Sequence, residues 1–242
     1  MLCFALLCFA LPFQIHKMNV IIGSSRSSKL DKVFKENHSV EVWSRPGGTY
    51  NSMKGLVDQH NIYHHGGPAE SDFQTHIYIV AGVCDVTNKV KNDAENYAEI
   101  IFSDSPESKI EKAKDSAKRL QNYILSYNYI PIFCTIVPAH IETQNLHNFQ
   151  TGKTSSLKHS PAYNHMQDQA MQVFRSLNKF IPELNSELGM STPFLHRSVM
   201  KNTKKGKTYF QFRKLPDGCH ASPILNSEWA REINHAIKLN RT

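Results

Sequence analysis

Residues 19–28 read N-V-I-I-G-S-S-R-S-S, and this stretch leaves the chain few folds to choose from. Residues suited to a buried strand run into a glycine and two serines. Leu30, Val33 and Phe34 then begin a helical stripe. A strand that leaves through Gly-Ser-Ser into a helix is an opening unit of an α/β protein. It presents a serine hydroxyl at the carboxyl end of the first strand, where ligands gather in open α/β sheets. A serine there also lies near a helix N-terminus, whose amide N–H groups and dipole favour negative charge. The plain alternative is that Ser24 or Ser25 only caps the helix.

The pattern downstream repeats the unit. Residues 39–44 alternate apolar and polar, which predicts a second strand, and end in Arg45-Pro46-Gly47-Gly48-Thr49. Proline stops the ladder there, and the glycines permit a tight turn with exposed amides. Met53, Leu56 and Val57 suggest a helix, and residues 61–72 read as a loop. Residues 76–82 form an apolar run that predicts a buried parallel strand, closing at Gly82-Val83-Cys84-Asp85. Ser105-Pro106-Glu107 opens a long amphipathic helix through Ile110, Ala113, Ala117, Leu120, Ile124 and Tyr127. Residues 129–137 predict a fourth strand, with Cys134 in the core.

Residues 140–161 are polar and read as an inserted loop. Their Gly152-Lys153-Thr154 is not a phosphate loop, because His147 stands where that pattern needs a glycine. Met166, Ala170, Phe174, Leu177 and Ile181 mark a helix expected to end before Pro182. Residues 192–199 and 209–212 predict a hairpin on the sheet edge, around a basic turn at 201–207. Ser222-Pro223 starts a final helix with Leu225, Trp229, Ile233 and Ile237 on its inner face. Alternation of this kind implies a three-layer α/β sandwich with a mainly parallel sheet, as one domain over residues 18–242.

Composition narrows the function classes. The chain has 242 residues, 40% hydrophobic and 20% charged, which is ordinary for a globular protein. Five scattered cysteines make no disulfide framework and show no zinc spacing. A net charge of +7 permits an anionic partner without requiring one. Lys201, Lys204, Lys205 and Lys207 are the place to look for phosphate contacts, against a solvated hairpin tip as the alternative. His60, His64 and His65 are expected to face solvent. The apolar run 1–12 is too short to span a bilayer. Residues 1–17 are set apart as an apolar leader: either a signal peptide, though no basic residue precedes the run, or an extension upstream of a start at Met18. The chain is expected inside the cell unless that leader directs secretion.

Near the other end, residues 215–222 read L-P-D-G-C-H-A-S. Asp217 and His220 are three apart in a turn just before a helix. A neutral histidine can take a proton from a serine hydroxyl, and a carboxylate can fix its tautomer. One short loop can carry both groups toward Ser25 if the last helix packs back on the sheet. Cys84 as a nucleophile paired with His220, or Cys84, Cys219 and His220 as metal ligands, are alternatives with less support from spacing.

From about Asn19 to Ile237, four stretches in this order resemble the SGNH hydrolases, the GDSL-like esterases and lipases. Gly23-Ser24-Ser25 resembles the Gly-Asp-Ser block, which implies Ser25 as nucleophile. Pro46-Gly47-Gly48-Thr49 resembles the second block and implies Gly47, less directly Gly48, as an oxyanion-hole glycine. Gly82-Val83-Cys84-Asp85 looks like the Gly-x-Asn-Asp block. Asp217-Gly218-Cys219-His220 looks like the final Asp-x-x-His block, the most specific of the four. The resemblance implies a flavodoxin-like sheet and serine-dependent ester hydrolysis, with His220 as base, Asp217 as its orienter and the Ser25 and Gly47 N–H groups on the oxyanion. It implies a small-molecule ester as substrate, and neither metal nor organic cofactor. Two positions depart from it: Ser24 replaces an aspartate, and Cys84 replaces an oxyanion-hole asparagine. The same resemblance keeps open a catalytically degenerate binding module, since similar domains occur in animal mobile elements, where a nucleic acid would be the partner. Oligomeric state is not legible.

Overall fold

The computed structural model describes residues 18–34, 40–64, 75–91, 98–154, 156–202 and 208–241. The leader and Lys204, Lys205 and Lys207 lie outside the described residues, as do the side chains of His60 and His64 and all of His65. The elements in order are β1 (Met18–Gly23), α1 (Leu30–Phe34), β2 (Val40–Ser44), α2 (Lys54–His64), β3 (Thr75–Val80), α3 (Val83–Val86), β4 (Asn88–Lys91) and β5 (Ala98–Ile101). Then follow α4 (Pro106–Leu125), β6 (Ile130–Phe133), α5 (Ile141–Gln150), α6 (Tyr163–Ser186), β7 (Met200–Asn202), β8 (Thr208–Phe210) and α7 (Pro223–Leu239).

The main sheet has four strands in the order β2-β1-β3-β6, all parallel. Apolar residues on both faces of β1 and β3 make this a covered sheet. Val20, Ile22, Ile77 and Ile79 point into a core built with α2, α4 and α6. Ile21, Tyr78 and Val80 point into a second core built with α1 and α7. The period-2 geometry of a strand thus splits one continuous apolar run between two layers of helix. The expected three-layer α/β/α sandwich is the observed one. Both expected caps form: Ser105 Oγ accepts from the Ser108 N–H at 3.2 Å, and Ser222 Oγ from the Leu225 N–H at 3.3 Å.

Several local expectations fail for identifiable reasons. Residues 140–161 are not a loop throughout. They contain α5, which buries only Ile141 and Asn145, too little to leave a periodic apolar signal. Helix α6 does not stop before Pro182 but continues to Ser186, because its buried face extends through Ile181, Leu184 and Asn185. Packing there outweighs the hydrogen bond that proline cannot make. Residues 192–199 are not a strand. They run as loop and then a 3-10 turn at Leu195–Val199, which buries Leu195 and Val199 beside Trp229 of α7. The hairpin is the short pair β7–β8, a separate two-stranded sheet and not an addition to the main edge. The antiparallel pair β4–β5 occupies the polar segment after Asp85, where no strand was expected. The loop expected over 61–72 begins later, since α2 reaches His64. No helix among the described residues is long and apolar enough to cross a membrane.

The β6 border is closed by side-chain amides. Asn185 Oδ1 accepts from the Phe133 N–H and its Nδ2 donates to the Phe133 carbonyl, each at 2.9 Å. Two turns earlier on α6, Asn178 does the same for Ile136, at 2.6 and 2.8 Å. Between them the Thr135 N–H donates to the Pro193 carbonyl at 3.0 Å. Asn185 is fully buried. Asn185→Leu strands both backbone groups of Phe133, so it is expected to cost about 2–4 kcal/mol. Asn178→Leu, at a half-buried position, should cost less. Urea unfolding of the two variants checks both values.

Candidate active site

Ser25 follows β1 by two residues and starts the turn into the 3-10 segment Ser27–Lys29 that leads into α1. The turn is fixed from both sides. The Ser24 N–H donates to Val80 O at 3.2 Å, while the Ser27 N–H and Ser27 Oγ both donate to Ser24 O, at 3.0 and 2.8 Å. Gly23 is obligatory at this point, since a Cβ on it would lie 2.4 Å from Val80 O. Ser24 is buried and Ser25 half-buried, so of the two serines Ser25 carries the accessible hydroxyl.

His220 Nε2 lies 2.9 Å from Ser25 Oγ. On the other side of the ring, His220 Nδ1 lies 2.6 Å from Asp217 Oδ2. The three residues, 195 positions apart at the extremes, form one hydrogen-bonded line. Asp217 also organises its own loop. Its Oδ1 accepts from the backbone N–H of Cys219 at 2.9 Å and of His220 at 2.6 Å. Burial pushes the Asp217 carboxyl up. The hydrogen bonds from the His220 ring and from the His220 and Cys219 N–H groups outweigh it and hold the group well below the usual carboxylate range. An ionised carboxylate only accepts, so Nδ1 carries the proton and Nε2 turns its lone pair toward Ser25. The loop docks on α5: the His140 N–H donates to Gly218 O at 2.7 Å. Gly218 has φ +77°, and a Cβ there would strike the Gln144 nitrogen at 2.6 Å.

Gly47 and Cys84 reach the same end of the sheet. Gly23 pairs with Ser44 of β2 and Val80 of β3, so Ser25, Gly47 and Cys84 all lie just beyond adjacent strand ends. Gly47 is exposed with φ +72°, in the left-handed region that favours glycine. Gly48 is buried, and a Cβ on it would meet Met53 Cε at 2.1 Å, so its part is to let the turn pack. Among the described residues, neither the Ser25 nor the Gly47 N–H has a protein acceptor. Cys84 is the second residue of the short α3, which Gly82 precedes. Burial raises its thiol pKa, with Lys89 and Arg26 pulling the other way and Cys219 and Asp85 adding to the rise. The thiol therefore stays neutral at pH 7. Asp85, next to it, binds the Tyr50 N–H through both oxygens, at 3.2 and 3.1 Å, which ties the glycine turn to the loop after β3.

Arg26 was not anticipated. It follows the serine pair, where a charged residue ordinarily points to solvent, yet it is only 4% exposed. Its guanidinium donates to the Val137 carbonyl and to Cys219 Sγ, the latter at 3.7 Å. It thereby joins the segments after β1 and β6 to the loop that bears His220. Nothing in the local sequence pattern distinguishes this arginine from a surface one.

No family model and no curated protein matches the sequence. Solved structures do match. A GDSL-like lipase from Bacteroides thetaiotaomicron superimposes with a TM-score of 0.59 at 15% identity, over 96% of this chain and 92% of that one. The fold is that of the SGNH hydrolases. A candidate acylhydrolase from Bacteroides fragilis shares it (TM-score 0.56, 14% identity, 93% and 88% covered). So does the C-terminal domain of Drosophila Oskar (0.50, 12%, 90% and 87%). The four stretches that resemble the SGNH blocks fall at the carboxyl ends of β1, β2 and β3 and on the loop before α7.

Asp217 is depressed in the folded chain, so its bonds contribute stability above its unfolded value of about 4, and that contribution is lost as pH falls toward the folded value. Asp217→Asn is expected to cost on the order of 1–2 kcal/mol at pH 7, with a narrower gap from wild type below about pH 4. Denaturant unfolding at pH 7 and pH 3 checks the sign.

Proposed function

We propose that the chain is a serine-dependent ester hydrolase. The observation that carries this reading is the line Asp217 Oδ2, His220 Nδ1, His220 Nε2 and Ser25 Oγ, with separations of 2.6 and 2.9 Å at its two hydrogen bonds. Ser25 Oγ attacks the ester carbonyl while His220 Nε2 takes its proton. The carbonyl electron pair moves to oxygen, held by the Ser25 and Gly47 N–H groups. The pair then returns, the C–O bond to the alcohol breaks, and the imidazolium gives the alcohol its proton. Water, deprotonated by the same nitrogen, removes the acyl group from Ser25. Asp217 holds the tautomer and offsets the imidazolium charge. The substrate class is an ester of a small or acyl-bearing alcohol.

Cys84 sets the expected pace. A thiol is a weak donor where an asparagine amide would be a good one. Loss of one such donor costs about 2.7–4 kcal/mol, a hundred- to thousandfold in rate. The same feature supports a second reading, a binding module that keeps the fold without turnover. The likeness to the Oskar domain, which shares the fold, fits this second reading.

A fluorophosphonate probe separates the two. The full chain is expected to label, while Ser25→Ala and His220→Ala abolish labelling, and Cys84→Asn raises ester turnover at least tenfold. A folded wild-type chain that neither labels nor hydrolyses p-nitrophenyl acetate would leave the binding reading.

A further inference from the structure

The position vacated by an amide donor has a cation beside it. Lys89 lies on β4, five residues after Cys84. Successive strand residues face opposite ways. Asn88 is held by Lys109 Nζ at 2.7 Å, and Lys89 takes the other direction, over the glycine turn. Its Nζ comes within 3.4 Å of the point where a Cβ on Gly47 would stand. The same ammonium is the foremost charge pulling the Cys84 thiol down against burial. Lys89 Nζ therefore stands next to Gly47 and within electrostatic range of Cys84. Arg26, the other cation acting on Cys84, is buried and turns both terminal nitrogens away to Val137 O and Cys219 Sγ, with only its buried Nε left without a partner. No carboxylate among the described residues forms an ion pair with Lys89.

We infer that Lys89 is a catalytic residue that supplies, as a charged donor, the third oxyanion contact that Cys84 cannot make. The inference rests on the esterase reading above. When the Ser25 Oγ–C bond forms and the carbonyl pair moves to oxygen, the Lys89 ammonium donates an N–H hydrogen bond to that oxygen and keeps its proton. When the pair returns and the alcohol leaves, the bond relaxes. A hydrogen bond with an ionised partner on each side is roughly twice as strong as a neutral one. Lys89 is exposed, so water and salt screen part of this. The arrangement favours the transition state over the bound ester, because full charge appears on the oxygen only there.

The test compares full-length wild type, Lys89→Met, Lys89→Arg and Lys89→Met with Cys84→Asn, using p-nitrophenyl acetate hydrolysis and the rate of fluorophosphonate labelling. Lys89→Met is expected to lower kcat about 10- to 100-fold with KM within about twofold, and to slow labelling in parallel. Lys89→Arg should keep most of the rate, and Cys84→Asn should recover most of what Lys89→Met loses. Wild-type kcat in Lys89→Met, a loss confined to KM, or no recovery by Cys84→Asn overturns the inference. If wild type labels at Ser25 and Lys89→Met labels equally fast, the Lys89 role fails while the esterase reading stands. If wild type neither labels nor hydrolyses, both fail.

Discussion

Two ladders of hydrogen bonds hold β1, one from β2 and one from β3, and Ser25, Gly47 and Cys84 take their level from them. The ladders align Gly23 with Ser44 and Val80, and the Arg45 N–H extends the first by donating to Gly23 O at 2.8 Å. Because the strands are parallel and in register, the three segments that leave them do so at one level. A serine, a glycine turn and a cysteine loop from distant parts of the chain then meet at one end of the sheet without any loop reaching far. The apolar side chains on both faces of β1 make the ladders hard to open, since they anchor into two cores at once.

The fold and the site were legible in unequal measure. The four main strands could be read because burial on both faces demands apolar runs, and three of the runs end in motifs built of glycine, serine or acid. The line from Ser25 to Asp217 could be read because its residues occur in short blocks whose spacing is chemical. Helix α5 could not, because it is held by the buried amide of Asn145 bridging the Ile100 N–H and carbonyl, and an asparagine in a polar stretch carries no periodic signal. Pro182 misled for a related reason. Local rules say that proline ends a helix, while the buried face around it, invisible until α6 meets the sheet, says otherwise. Arg26 and Lys89 were missed because single charged residues look alike until the fold shows which one is buried and which one leans over a glycine.

Charge is distributed in layers about the crevice. Asp217 stays ionised behind His220, Arg26 is buried beneath Cys219, and Lys89 stands over Gly47. Each cation is within electrostatic reach of the Cys84 thiol, which burial keeps protonated. A neutral sulfur near two positive groups is a poor hydrogen-bond donor. The two cations acting on the thiol thus lie outside the blocks that carry the resemblance.

Asparagines on α6 act as a dummy strand along the β6 border, pairing with Phe133 and Ile136 as a neighbouring backbone would. Among the described residues β2, at the far side of the sheet, has a strand on one flank only. A margin closed in this way presents no free row of backbone groups along Phe133–Ile136. Growth by strand addition, whether from a second copy or from a foreign peptide, is therefore disfavoured at the β6 margin. The closed margin is the one away from β2, whose carboxyl end runs into the turn bearing Gly47, so the amides that seal the sheet stand clear of that turn.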